Sequence, residues 1–361
     1  MVDVTDGVSA TTTATGNSAD FTVDGGDLDV RSNQALEGDV TAQTTLNVSS
    51  HAGESSILST AATGNTGDSG VISGVHTGVY NQRTEAVSIT AASDVQAPDA
   101  SAGDVSSSAQ AIANSQGLAQ SGGAAGAGVN QVNNAEVNAQ NQGTFSYVYG
   151  QSDFTATAAG NNVTAAGGGS GQRVVIDQSN NAALGQAGAY TSYGSGYLTN
   201  TQATVTGNNV TAAEQSPILD VTANQTNLAY LRAEAVNAGN EFGAGTATAY
   251  GVANSIVAGN AGAEVDLDNT QYNAGGGVDA YAEYGGEQGY DAAASATAIG
   301  NASAGYACSD CGSVMSVNNS QTNSANVRAE SRTTVTSARS VVGVANAVGN
   351  TASYYVTRPS E

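Results

Sequence analysis

The sequence predicts an all-β chain folded as one elongated β-solenoid, and three observations carry that prediction. First, Gln34, Gln82, Gln131, Gln178, Gln225, Gln271 and Gln321 recur in similar settings, separated by 48, 49, 47, 47, 46 and 50 residues. Second, a usually Gly-Asn marker runs in phase with them at Asn17, Asn65, Asn114, Asn161, Asn208, Asn260, Asn301 and Asn350. Third, the segments between markers alternate apolar and polar residues, the signature of half-exposed strands. Self-similarity at a fixed period marks stacked units that need their neighbours to bury a core.

Taken in order, residues 1–16 form an N-terminal coil or cap, and about seven 48-residue repeats follow. The repeat around Gln271 is representative. Val265 and Leu267 alternate with Glu264, Asp266 and Asp268; Ala274 to Gly277 gives a turn; Val278 to Tyr284 alternates again; and Ala294, Ala296 and Ala298 lead to Gly300-Asn301. Two punctuation points per repeat suggest two coils per repeat of roughly 24 residues each, some 15 coils in all, and a rod of about 70 Å at a coil spacing of ~4.8 Å. Residues 98–128 are expected to be loose or loop-rich, because large apolar residues nearly vanish there. Residues 351–361 read as a C-terminal tail. Runs such as Ala109 to Ala125 hold helix formers, but Gly and Ser interrupt them and no stripe of period 3.6 appears.

Composition supports a thin core. The 361 residues include 46 Gly, no Trp, four Phe and two Met, so inward positions fall to Ala, Val, Leu and Ile. With only three Pro and a strict phase, the Gly, Ser, Thr and Asn content reads as corners rather than disorder. The net charge is −23, with no Lys and eight Arg. Neutralising phosphates needs a basic surface, so nucleic acid is not a partner and anionic membranes are disfavoured. No stretch of 18 apolar residues occurs, so no transmembrane segment is expected. Met1 stands directly before the polar Val2-Asp3-Val4-Thr5-Asp6-Gly7, as in a mature secreted domain whose natural signal has been removed.

Little in the sequence points to catalysis. Acids alternate along strands, as in Asp24, Asp27 and Asp29, which places them on an exposed face, and scarce cations leave little to stabilise an oxyanion. Asp24 to Asp29 loosely resembles a calcium-binding nonapeptide but lacks the tandem copies such sites use, so neither metal nor cofactor is assigned. Cys308 and Cys311 form a lone Cys-Ser-Asp-Cys. Redox, zinc and disulfide readings are open to a CxxC pair; a local structural disulfide is favoured, since no second pair or nearby histidine exists. The repeated Gln, five times as Gln-x-Asn, is read as an internal amide ladder rather than a ligand-binding one.

Tyrosine carries the functional signal. Fourteen of the 15 Tyr lie at or after Tyr147, and several share a phase after the Gln marker: Tyr147 and Tyr149, Tyr193 and Tyr197, Tyr284 and Tyr290. Similar phase on a solenoid makes a stripe. Exposed aromatic faces beside Asn, Ser and Thr suit polysaccharide, because rings stack on apolar sugar faces while amides bond hydroxyls. The competing reading has these Tyr filling gaps in an Ala-rich core.

The Gly-Asn-(x)-Val-Thr-Ala segments (Asn161 to Ala165, Asn208 to Ala212), with the Asn-Gln-x-Asn segments, give the chain a likeness across most of its length. It resembles the holdfast anchoring protein D family of stalked alphaproteobacteria and, more weakly, curlin-type repeats. The first resemblance implies a secreted, outer-membrane-associated surface protein that holds an adhesive polysaccharide to the cell envelope. Its implied partners are a curlin-like subunit and an outer-membrane secretion-channel lipoprotein. The alternative is a fibre-forming structural subunit that stacks end to end and contacts proteins rather than glycan.

Overall fold

The computed structural model describes residues 4–308 and 314–357, with the side chains of Cys308 and Thr357 excepted. Cys311 and the side chain of Cys308 therefore lie outside the described residues, as do residues 358–361 of the expected tail. All regular structure among the described residues is β, and every strand pairs in parallel with the equivalent strand one repeat away.

One coil opens with a short strand that carries the repeated Gln. These are β2 (Leu28–Leu36), β5 (His76–Thr84), β8 (Ala124–Asn133), β10 (Gly171–Asn180), β12 (Ile218–Asn227), β14 (Glu264–Asn273) and β16 (Val314–Asn323), which stack into a 7-stranded sheet. The remainder of each coil wraps round as an 11-stranded sheet. In the early coils it is split into separate strands: β1 (Gly7–Asp24), β3 (Val40–Asn47), β4 (Ser55–Ile72), β6 (Ser88–Ala102) and β7 (Asp104–Ser121). Later it is continuous as β9 (Glu136–Gly168), β11 (Leu184–Glu214), β13 (Tyr230–Asn260) and β15 (Gly277–Cys308). At the far end it divides again into β17 (Val327–Ser337) and β18 (Ser340–Thr357).

The register corrects the expected coil size. Gly7 pairs with Ser55, Ser55 with Asp104, and Gln131 with Gln178, so each repeat makes one coil rather than two. The Gln and Gly-Asn points are different corners of a single turn, not equivalent corners of two turns. β1, β4, β7, β9, β11, β13, β15 and β18 give seven coil steps on that face, a rod of roughly 34 Å at ~4.8 Å per step and half the length expected.

Residues 98–128 are not loose: β6, β7 and β8 run through them. Large side chains are unnecessary there because Ala100, Ala102, Ala109, Ala111 and Ala113 let facing backbones approach, while parallel pairing satisfies the main chain. Pro98 falls where β6 slips register against β9, between Ala97 and Ser101, so its missing N–H breaks no ladder. Residues 7–16 are the front of β1, stacked on β4, and 351–357 finish β18.

The core has two main compartments. In one, Val174, Ile176, Leu219, Val221, Val265 and Leu267 of the Gln strands meet Val163, Ala165, Val210 and Ala212 of the wrapping strands. The other is filled mainly by Ala, with Val and Leu from the opposed arms of the wrapping sheet. An aromatic cluster that includes Phe145, Phe154 and Tyr193 extends the core toward the N-terminal coils.

Three columns of side-chain amides cross this interior. In the first, Nε2 of each Gln donates to Oε1 of the Gln one coil back, at 2.7–2.8 Å, from Gln321 through Gln271, Gln225, Gln178, Gln131 and Gln82 to Gln34. Its second hydrogen reaches a carbonyl of the facing strand at 2.8–3.0 Å, as Gln178 does to Asn209. In the second column the corner Asn donate the opposite way, from Asn17 to Asn350, at 2.7–2.8 Å. Each from Asn17 to Asn301 also donates to the carbonyl of the residue after a Gln, as Asn161 does to Ser179. The third links Asn133, Asn180, Asn227, Asn273 and Asn323 at 2.7–3.0 Å. A primary amide has two donors and an acceptor that takes two bonds, enough to serve a neighbouring coil and a facing strand together.

One marker was misplaced. The corner residue of the sixth coil is Asn254, not Asn260. Asn260 instead sits buried at the end of β13, where its Nδ2 donates to the carbonyls of Ser216 and Glu264. The Gly259-Asn260 dipeptide mimics the marker, which hid Asn254.

Candidate functional site

The Tyr stripe forms at the corner where the first arm of the wrapping sheet turns into the second. Neighbouring coils here align Tyr147 with Ser195, Ser195 with Glu241, Glu241 with Gln288, and Gln288 with Ser337. This row runs along the rod axis over four coil steps, roughly 19 Å. Beside it lies an open cleft of about 590 Å³, lined by the row and by Tyr197, Phe242 and Tyr290 with Gly196, Gly243 and Gly289.

Glycine makes the cleft. A Cβ on Gly289 would lie 2.4 Å from the Phe242 ring, and one on Gly243 would lie 2.3 Å from the Tyr197 carbonyl oxygen. Phe242 is buried and packs edge-on against Tyr284 at 5.1 Å between centroids. Tyr147, Tyr197 and Tyr290 are 47%, 61% and 63% exposed. Three exposed aromatic side chains thus flank a line of hydroxyl, carboxylate and amide groups.

Three of the six expected Tyr are not part of this surface. Tyr193 is 3% exposed and Tyr284 0%, so both are core residues. Tyr193 stacks on Phe145 at 5.8 Å and its hydroxyl bonds Ser152 at 2.7 Å; burial pushes its phenol up to about 12. The reason is the corner itself. Tyr193 and Tyr197 share sequence parity, but the chain turns the corner between them: Gly194 and Ser195 are both partly exposed, Gly196 is buried, and the alternation is inverted before Tyr197 is reached. Tyr149 is exposed but belongs to a neighbouring cluster, stacked near His51 at 6.2 Å and beside Tyr147 at 5.9 Å. Glu241 and Phe242 were not singled out in the sequence. A Gly-rich corner with an acid at the same phase as Tyr147 was the available signal.

Charge around the cleft is sparse. Glu241 is the one ionised lining group among the described residues, and Ser195 Oγ donates to its carboxylate at 3.2 Å. Arg339 lies outside the lining, with its guanidinium 5.7 Å from the Tyr290 ring centroid and bound to the Asp291 carboxylate. No cluster of three or more His, Cys, Asp or Glu that could hold a metal occurs among the described residues. No described helix is long and apolar enough to cross a membrane.

Fold and cleft together define a parallel β-solenoid with an aromatic cleft at one corner. The Holdfast attachment protein D family matches residues 2–277, three quarters of the chain. The chain belongs to that family, a structural adhesion family, and is a cell-surface-associated holdfast attachment protein. No curated protein and no solved structure matches it. Beyond the family match, residues 278–308 and 314–357 continue the same register through β15, β16, β17 and β18.

Proposed function

We propose that the chain is a non-catalytic anchor that takes strands of the adhesive holdfast polysaccharide in the aromatic cleft and holds them to the cell envelope. One observation carries the reading: Tyr147, Tyr197 and Tyr290 stand exposed around an open groove whose lining includes Ser195, Glu241, Gln288 and Ser337 along the rod. Aromatic faces stack on sugars, and the polar row supplies partners for hydroxyls. The groove is open along its length and suits a polymer rather than an enclosed small molecule. Non-catalysis fits the lining, because glycoside cleavage uses two opposed carboxyl groups and Glu241 stands alone there among the described residues. In this reading a curlin-like subunit and an outer-membrane secretion-channel lipoprotein complete the anchor.

The test is retention of the purified chain on isolated holdfast polysaccharide, wild type beside Tyr197→Ala/Tyr290→Ala. Stacked aromatics contribute about 0.5–1.5 kcal/mol each, so the double variant should lose roughly tenfold or more in affinity with its β circular dichroism intact. Undiminished retention would remove the cleft from the account. No retention of a folded wild type would favour the fibre-forming subunit.

A further inference from the structure

Resting on that reading, we propose that the cleft selects glycans bearing free amines: Glu241 receives the ammonium group of an amino sugar while Tyr197 and Tyr290 flank it. Four observations converge. The lining contains no Arg, the chain contains no Lys, and the cation beside the lining, Arg339, is already paired with Asp291, so a uronate or a sulfate meets no unpaired cation there. Glu241 makes no salt bridge among the described residues, and its one side-chain hydrogen bond comes from the neutral Ser195 hydroxyl, which orients the carboxylate and leaves its charge unspent. The same edge already holds a cation on an aromatic ring, since the Arg339 guanidinium lies over Tyr290. Finally, the net charge of −23 sets a field that concentrates cationic polymers and repels anionic ones.

The chemistry is that of ammonium recognition. A cation over a Tyr face gains from the ring quadrupole, and an adjacent carboxylate adds a charge-assisted hydrogen bond. Glu241 is exposed, so each contact is modest and weakened by salt. A polymer bearing many amines multiplies it through repeated engagement. An N-acetylated sugar could still stack on the tyrosines, but it would leave Glu241 without a cation.

Equilibrium binding of the full chain decides the matter, using a hexamer of glucosamine, its fully N-acetylated counterpart and a hexuronate of equal length. At low salt the amine hexamer should bind about five- to tenfold tighter than the acetylated one. The uronate should bind weakest. Glu241→Gln should bring the amine and acetyl affinities together, as should high salt, while Asp266→Asn on the distant Gln-strand face should leave the preference intact. Equal binding of the amine and acetyl forms by the wild type, both weakened by Tyr197→Ala, would overturn the amine selectivity and keep the glycan cleft. A preference unaffected by Glu241→Gln would assign it to bulk charge and overturn the role of Glu241. Failure of all three hexamers to bind would overturn the glycan reading as well.

Discussion

Replacing Gln178 by Ala tests the amide columns at their centre. Gln178 is buried; its Nε2 donates to Gln131 Oε1 at 2.8 Å and to the Asn209 carbonyl at 3.0 Å, and its Oε1 accepts from Gln225 at 2.8 Å. The substitution strands the Gln131 oxygen, the Asn209 carbonyl and one hydrogen of Gln225, whose other hydrogen keeps Ser255. A buried group left without a partner costs about 1–3 kcal/mol, so with partial relaxation the sum is about 3–5 kcal/mol. Gln34→Ala is the matched control. It sits half-exposed at the column's end, and water can replace what it loses, so the expected cost is below about 1 kcal/mol. Urea unfolding followed by far-ultraviolet circular dichroism gives the global comparison. Stacked repeats open locally, so hydrogen exchange at the amides of β10 and β12 locates the damage. If the two variants cost the same, or if Gln178→Ala costs less than about 1 kcal/mol, the columns do not hold the coils together.

Further outcomes follow from single contacts. Asn208→Asp places a carboxylate where the Asn254 oxygen expects a donor, and should cost more than Asn208→Ala in the same urea titration. Gly245→Ala puts a Cβ within 2.1 Å of the buried Tyr284 ring and should destabilise by about 1–3 kcal/mol, relieved in the double variant with Tyr284→Leu. His76 is buried against Ser69 and Tyr80, with Leu28 and Ala125 in the coils on either side and no charged partner; desolvation holds its pKa below the ordinary 6.5. The unfolded chain therefore takes up a proton that the folded chain refuses. Stability is full above pH 6.5, falls as pH drops below it, and levels off once the folded-state pKa is passed. His76→Gln should flatten that part of the pH–stability curve measured by thermal melts.

Much of this architecture can be read from the chain, and the misreadings have physical causes. Period, strand alternation and the Gln positions are legible because stacking forces equivalent residues into equivalent environments. Coil length is not given by the period alone. The Gln strand and the Asn corner differ in sequence and are single features of one turn, a distinction visible only once Gly7 is seen beside Ser55. Asn254 escaped because Gly259-Asn260 repeats the corner dipeptide close by, while the corner itself accepts Ala, as at Ala113-Asn114 and Ala253-Asn254. Tyr193 and Tyr284 lie inside because alternation tells inside from outside only along an unbroken run, and the corner interrupts it. Two successive outward-facing residues, Gly194 and Ser195, reset the alternation and separate buried Tyr193 from exposed Tyr197. Glu241 shares its row with Tyr147, Ser195, Gln288 and Ser337, four residue types over five positions, so no repeat pattern marks it.

The orientation of the hydrogen bonds between coils has a mechanical consequence. In a stacked parallel solenoid these bonds, backbone and amide columns alike, lie nearly along the rod. A pull spread across an end face, as when many polymer strands drag on one anchor, loads every bond of a coil boundary at once, and rupture requires them to fail together. A pull on a single terminal strand concentrates force on a few bonds and peels the coil away. For a protein that must resist drag, strength therefore depends on where the load enters. Under the proposed function, a polymer seated along the row from Tyr147 to Ser337 would deliver force to five coils simultaneously.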